Sequence, residues 1–292
     1  LSIRDWDLPL HFYTLLGQKP RVYFYVENCC CSERSSVNNW VRSIMQPMSE
    51  KTKKAIKIIF MVLVIGAVFA GLLFGKRLSA YQRTWTSGRN TAVFAYIRNP
   101  DQHRQWELEA LSRCGDAPFV LPTRGFIGYL YNDSFSFLKL HTGLDIFGGE
   151  EGGVTPVYAP FDGFITRELD WKSSLILRIP QDPLDPDRQI WVYMTHMADR
   201  YGNSLIETTY PNGGRDIPVS QGDLLGYQGN YSGNPNRPTG VHLHISIVRD
   251  DGSGNYLNEL YIENTLDPSP YFGMPMDAST SMDVYPSCGL SR

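Results

Sequence analysis

The chain has 292 residues, 42% of them hydrophobic and 20% charged, which is enough for one large domain or two smaller ones and excludes a disordered or fibrous polypeptide. A balance of 27 basic against 30 acidic side chains offers no polybasic field, so no nucleic-acid partner is expected. The five cysteines make neither a CxxC…CxxC zinc pattern nor a dense disulfide framework: Cys29, Cys30 and Cys31 are adjacent, and Cys114 and Cys288 are left as a candidate bridge for a chain that leaves the cytosol.

Residues 1–47 mix aromatics, the Cys triplet and polar residues without a period and read as no domain. A start at Met48 gives MSEKTKKAIK followed at once by an apolar run, so 1–47 is taken as a doubtful N-terminal extension upstream of the natural start; a small cytoplasmic tail is the alternative. Ile58 to Gly75 (IIFMVLVIGAVFAGLLFG) is uncharged and, as a helix, reaches about 27 Å against a hydrocarbon core of about 30 Å. Lys51, Lys53, Lys54 and Lys57 precede it and only Lys76 and Arg77 follow. The positive-inside rule therefore makes 48–57 a cytoplasmic basic segment, 58–75 a single-pass transmembrane signal anchor in the cell membrane, and the rest extracytoplasmic. A signal peptide cleaved near Val68-Phe69-Ala70, giving a secreted protein, is the rival reading. Residues 76–122 are expected to form a stalk, with a helical stretch around Asp101 to Arg113.

From about residue 123 the texture changes to short β-branched and aromatic runs between turn signals, which is a strand signature. Strands are expected within Thr155–Leu169, Ser173–Pro180, Gln189–Met197, Asp223–Asn230 and Val241–Asp250. No long helical pattern separates them, so the fold class is all-β: an antiparallel sheet or sandwich with an open groove, preceded by one transmembrane helix. The groove is expected to be bordered by loops around Gly148–Thr155, Gln181–Arg188 and Tyr231–Pro238. The domain runs over 123–250, and 251–292 is expected to pack back on it before a loose tail. GGEEGG (Gly148–Gly153) lacks the Lys-Ser/Thr of a phosphate loop and reads as a mobile loop.

Four of the six histidines, His141, His196, His242 and His244, fall in or beside these strands. In VHLHI, His242 and His244 are two apart and point to one face of their strand. In HTGLD, His141 and Asp145 are four apart, an even spacing that shares a face if the segment is extended. Two His and one Asp presented from two strands suit a tridentate zinc site with its fourth position open to water.

These motifs resemble the lysostaphin and LytM-like zinc metallopeptidases, which cut peptide cross-links in bacterial cell walls. The resemblance covers roughly residues 123–250 and runs in order through HTGLD, TPVYAPFDGFIT, YMTHM, VSQGDLLGYQGNYSG and PTGVHLHISI. It implies that His141, Asp145 and His244 bind one Zn2+ per chain, with His196 and His242 as the catalytic pair. Many relatives have lost ligands and act as regulators; this sequence keeps all five positions, which implies an active peptidase on peptidoglycan peptides. Val241, Ile245 and a longer insertion between Asp170 and Ile190 depart from the pattern and bear on groove shape. The alternatives are a zinc D,D-carboxypeptidase or amidase of the wall, and a non-catalytic activator of another wall hydrolase; a regulatory protein partner is a further expectation. A lipoyl or biotinyl carrier, which PVYAPFDGFIT and GDLLGYQGN also resemble, is excluded because residues 173–292 contain no Lys to modify.

Overall fold

The computed structural model describes residues 49–134, 139–281 and 284–288, so the extension 1–47 lies outside the described residues. Helix α1 (Glu50–Thr86) starts where Ser49 Oγ accepts the Thr52 N–H at 3.1 Å, and Gly88, at φ 85°, turns the chain into α2 (Arg89–Arg98). Contact density divides the chain into Leu1–Leu63 and Val64–Arg292. The described part of the first unit is the opening of α1; the second holds everything that follows. Among the described residues α1 is the helix long and apolar enough to cross a membrane, with a mean hydropathy of 2.8 over its apolar window and none of that window buried.

The strands are β1 (Phe126–Tyr129), β2 (Leu144–Phe147), β3 (Pro156–Tyr158), β4 (Gly163–Thr166), β5 (Leu175–Ile179), β6 (Ile190–Thr195), β7 (Ile217–Val219), β8 (Leu224–Tyr227), β9 (Leu243–Arg249) and β10 (Thr265–Leu266). Seven lie in the order β1-β2-β9-β6-β5-β4-β7, β10 joins β9 to make eight, and β3 and β8 form a separate ladder. Every pairing of named strands is antiparallel. The stretch Thr155–Leu169, expected as one strand, is two: residues 159–162 separate β3, which pairs with β8, from β4, which pairs with β5 and β7.

Alternation along the central strands decides which face is the core. Leu175, Leu177, Ile190, Val192, Met194, Leu243, Ile245 and Ile247 all point to one side and are at most 1% exposed. The β3–β8 ladder covers that side with Val157, Ala159 and Leu225, and Phe119, Leu121, Tyr271 and Phe272 complete the cluster. Each such aliphatic side chain contributes roughly 1.5–3 kcal/mol on burial, which fixes the register and hence what the other face presents. That other face carries Asp145, His244, Ser246, Tyr193 and Thr195.

Residues 76–122 do not stand free as a stalk. Val93 and Tyr96 of α2 pack with Phe126 and Phe147, and Phe119 and Leu121 belong to the main core. The helix expected over Asp101–Arg113 is a 3₁₀ segment, Pro100–Trp106, interrupted at His103; beyond it the backbone of Leu108 is taken up by a bridge to Gly125. A disulfide joins Cys114 to Cys288.

Candidate metal centre

Asp145 and His244 are set by the sheet. Asp145 of β2 opposes His244 of β9, and His244 opposes Thr195 of β6, so one transverse row carries all three. His242 immediately precedes β9 and is held by a bridge to Gly229. His141 lies before β2 rather than on it. Its N–H donates to the Asp133 carbonyl and its carbonyl accepts from Asn132 N–H at 2.9 Å, which brings the ring back over Asp145. His196 follows β6 with φ 69°, a left-handed conformation that is uncommon for a residue with a side chain and aims the ring into the site.

The three expected ligands converge. Asp145 Oδ1 lies 2.8 Å from His244 Nδ1 and 3.1 Å from His141 Nε2, and these two nitrogens are 3.0 Å apart. The spacings fall short of the ~3.3 Å edge of a tetrahedron with ~2.0 Å bonds by about half an ångström at most. His242 Nε2 is 3.6 Å from the same oxygen, and the His196 and His242 ring centroids are 4.5 Å apart. All five predicted site residues are thus brought together.

The outer ring atoms are already committed. His141 Nδ1 donates to Leu130 O at 2.9 Å, His196 Nδ1 to Tyr231 O at 2.7 Å, and His242 Nδ1 to Gly240 O at 2.7 Å. A carbonyl can only accept, so each of these rings carries its proton on Nδ1 and offers Nε2 as a lone pair. His244 is turned the other way: Ser246 Oγ meets Nε2 at 2.8 Å, which directs Nδ1 to the centre. Orienting partners of this kind are what metal-bound imidazoles need. Ser246 was not singled out from the sequence, although the period-two run His242, His244, Ser246 marks it as sharing their face. The carbonyl acceptors leave no trace in side-chain identity.

Burial opposes a charge on Asp145, but the surrounding His141 and His242 hold its carboxyl well below the usual carboxylate range. For His141, burial lowers the pKa and the Asp145 carboxylate outweighs it, so the net direction is upward. Burial dominates elsewhere: His242 is pushed down to about 4 and His244 is also lowered. The donor set is two imidazole nitrogens and a carboxylate, desolvated, with one ligand atom of each within 4.8 Å of the others, which fits a zinc ion.

An open cleft of about 470 Å³ adjoins the centre and exposes His141, His196 and His244 on its wall. Of the three loops expected to border it, only the one containing Tyr231, Ser232 and Gly233 contributes. Gln181–Arg188 is instead drawn to the core side, where Asp182 accepts from Tyr271 OH and Arg188. Hydroxyls that the sequence did not flag line the cleft: Ser174 Oγ lies 2.9 Å from Tyr193 OH and 2.7 Å from Thr195 Oγ1.

No family model and no curated protein matches the chain. Among solved structures, the fold is similar to the antimicrobial peptidase lysostaphin from Staphylococcus simulans, at 20% identity over 50% of this chain and 48% of that one, with a TM-score of 0.33. It is similar to the catalytic domain of the prophage-encoded M23 protein EnpA from Enterococcus faecalis at 17% identity, over 51% of this chain and 95% of that one, with a TM-score of 0.30. A chain of the complex of SpoIIIAH and SpoIIQ is similar at 15% identity over 46% and 89%, with a TM-score of 0.29. The match spans about half the length of lysostaphin. Lysostaphin is the protein whose group the HTGLD and PTGVHLHISI motifs resemble.

Proposed function

We propose that the protein is a membrane-anchored zinc metalloendopeptidase that hydrolyses peptide cross-links of bacterial peptidoglycan. The observation that carries this reading is the convergence of His141 Nε2, Asp145 Oδ1 and His244 Nδ1 beside His242, with His141, His196 and His244 on the wall of an open cleft. The motif resemblance supports the substrate class. The apolar α1 and its basic N-terminal flank support an extracytoplasmic body tethered at the cell membrane, the peptidase proper being 123–250 with packed extensions on both sides.

His141, Asp145 and His244 would hold the ion, one per chain. Bound there, zinc supplies positive charge that acidifies water and polarises an amide carbonyl. His196 and His242 do the proton work. Burial keeps His242 neutral at neutral pH, so its Nε2 is an acceptor beside Asp145; His196, on the cleft wall with Nδ1 committed to Tyr231 O, offers the same atom toward a bound peptide. A ring that has taken a proton becomes a donor, which suits it to the oxygen that gains charge as the amide carbonyl is attacked, and then to the departing amine. The groups are separate, so one ring can accept while the other donates.

The test is zinc content and muropeptide products for the full chain in detergent, beside His244→Ala. One zinc per chain and splitting of cross-linked dimers, both lost in the variant, is the expected result. Release of free D-Ala without dimer splitting would replace the endopeptidase by a carboxypeptidase, and zinc without products would replace it by a non-catalytic activator.

A further inference from the structure

Asp133 is fully buried, as are Thr84, near the end of α1, and Arg89, at the start of α2. Its carboxylate accepts from Thr84 Oγ1 at 3.0 Å, from Arg89 Nε at 3.0 Å and from the second guanidinium nitrogen at 2.9 Å. It also accepts the Leu130 N–H at 2.8 Å, and Thr84 Oγ1 in turn accepts the Ser134 N–H at 2.7 Å. The helix junction and the 130–134 turn are thereby locked as one unit, with Asn132 in the left-handed region at φ 64°.

This turn is the one that orients His141. The Leu130 carbonyl receives His141 Nδ1–H, the Asp133 carbonyl receives His141 N–H, and Asn132 N–H binds the His141 carbonyl. A buried ion pair is not needed for stability alone, since well-packed apolar residues would serve as well. What apolar residues would not do is hold the turn in a single conformation by directional bonds, and a metal ligand needs that on its outer nitrogen.

We infer that Thr84 and Arg89 are positioning residues for the metal ligand His141, acting through Asp133 and the Leu130 carbonyl, so that docking of the helix junction sets metal affinity at the centre. This rests on the zinc reading above. It makes the segment between the apolar helix and the sheet a control element for the site rather than a spacer, because whatever displaces residues 84–89 releases His141.

The experiment uses the full chain in phospholipid nanodiscs, labelled with 15N-histidine, as wild type, Thr84→Val, Arg89→Lys and Arg104→Ala. Arg104 is a control: it pairs with Asp101, Glu107 and Glu150 near α2 but makes no bond to the 130–134 turn. Zinc affinity is read by competition with a chromophoric chelator, and the His141 Nδ1–H resonance and its exchange rate are read in metal-free protein. Thr84→Val and Arg89→Lys should each weaken zinc binding by about 10-fold or more and speed exchange of the His141 Nδ1–H, with Arg104→Ala matching wild type in both. Wild-type zinc affinity and an unchanged Nδ1–H in Thr84→Val would overturn the inference, and that variant decides alone if Arg89→Lys does not fold. If wild type itself took no zinc, the proposed function would fall, while the metal-free resonance would still decide whether the junction holds His141.

Discussion

Asp145 and His244 face each other directly across the β2–β9 ladder, with Asp145 Oδ1 2.8 Å from His244 Nδ1. The sheet register itself thus brings two of the three candidate donors together, and a one-residue slip of either strand would turn its own donor toward the apolar core. Asp145→Asn keeps the shape and removes the anion. We expect zinc per chain to fall from one to near zero and turnover with it, while circular dichroism stays that of the wild type.

Ser246→Ala tests the orientation of His244. The hydroxyl lies 2.8 Å from Nε2 and fixes which nitrogen faces the centre. Loss of such a partner should weaken zinc binding by about 10- to 100-fold with little change in thermal stability. Equal affinity in a chelator competition would show that Asp145 alone orients the ring.

Gly143 lies between His141 and Asp145 in HTGLD, and a Cβ there would overlap the Ile245 carbonyl oxygen and come within 2.6 Å of Ser246 Oγ. The obstacle is backbone of the central strand, which has little freedom to retreat. Gly143→Ala should therefore cost about 1–3 kcal/mol in urea unfolding and also weaken the metal site, because strain at β9 moves His244. A variant with wild-type midpoint and zinc content would contradict this packing.

The metal-free protein should lose stability as pH falls from about 6.5 to about 4. In the unfolded chain His242 and His244 take up protons near 6.5. In the folded one burial lowers both, His242 to about 4, so the unfolded state binds more protons across that window and is favoured. His141, raised by Asp145, has the opposite sign, but its contribution is complete below its unfolded value and lost only as pH rises. Above about pH 5 the loss comes from these two rings, with His242 worth on the order of 3 kcal/mol over its whole shift, and below that the lowered Asp145 adds a loss of the same sign. Urea midpoints at pH 7, 5.5 and 4.5 check it, and a flat profile would mean that the rings are solvated.

The Cys114–Cys288 bridge closes a loop with a sequence separation of 174 residues. By chain entropy it stabilises the folded state by up to about 5 kcal/mol. Cys288→Ser should lower the unfolding midpoint, and reductant should lower that of wild type to the same value while leaving the variant unmoved.

The convergence of the histidines and Asp145 was legible because its signals are local and periodic: His242 and His244 share a strand face by alternation, and HTGLD holds His141 and Asp145 within four residues. β5, β6 and β9 were legible from β-branched runs of five to seven residues, and β8, only four residues long, from its place between turn signals. β1, β2, β7 and β10 are two to four residues long and leave too little pattern to separate from loop. His141 and Asp145 do come together as their spacing suggests, but His141 approaches from a loop instead of along an extended strand. The stalk reading failed because what anchors 84–121 is not periodic. Arg89 meets Asp133 across 44 positions, and Phe119 and Leu121 enter a core whose other members lie as far away as Phe272.

The placement of Thr84 and Arg89 also says where the chain can be cut. If α1 is the proposed anchor, a protease that severs it before Ala80 releases a body that keeps both residues, with Asp133, His141, Asp145 and His244 undisturbed. A cut between Arg98 and Leu108 leaves α2 held to the body by its packing and by the Arg89–Asp133 bonds without the chain that follows it, on the wrong side of a broken chain from the turn it secures. On the proposed function, shedding from the membrane and loss of the metal site would be separate outcomes of proteolysis, divided by a stretch of fewer than about thirty residues.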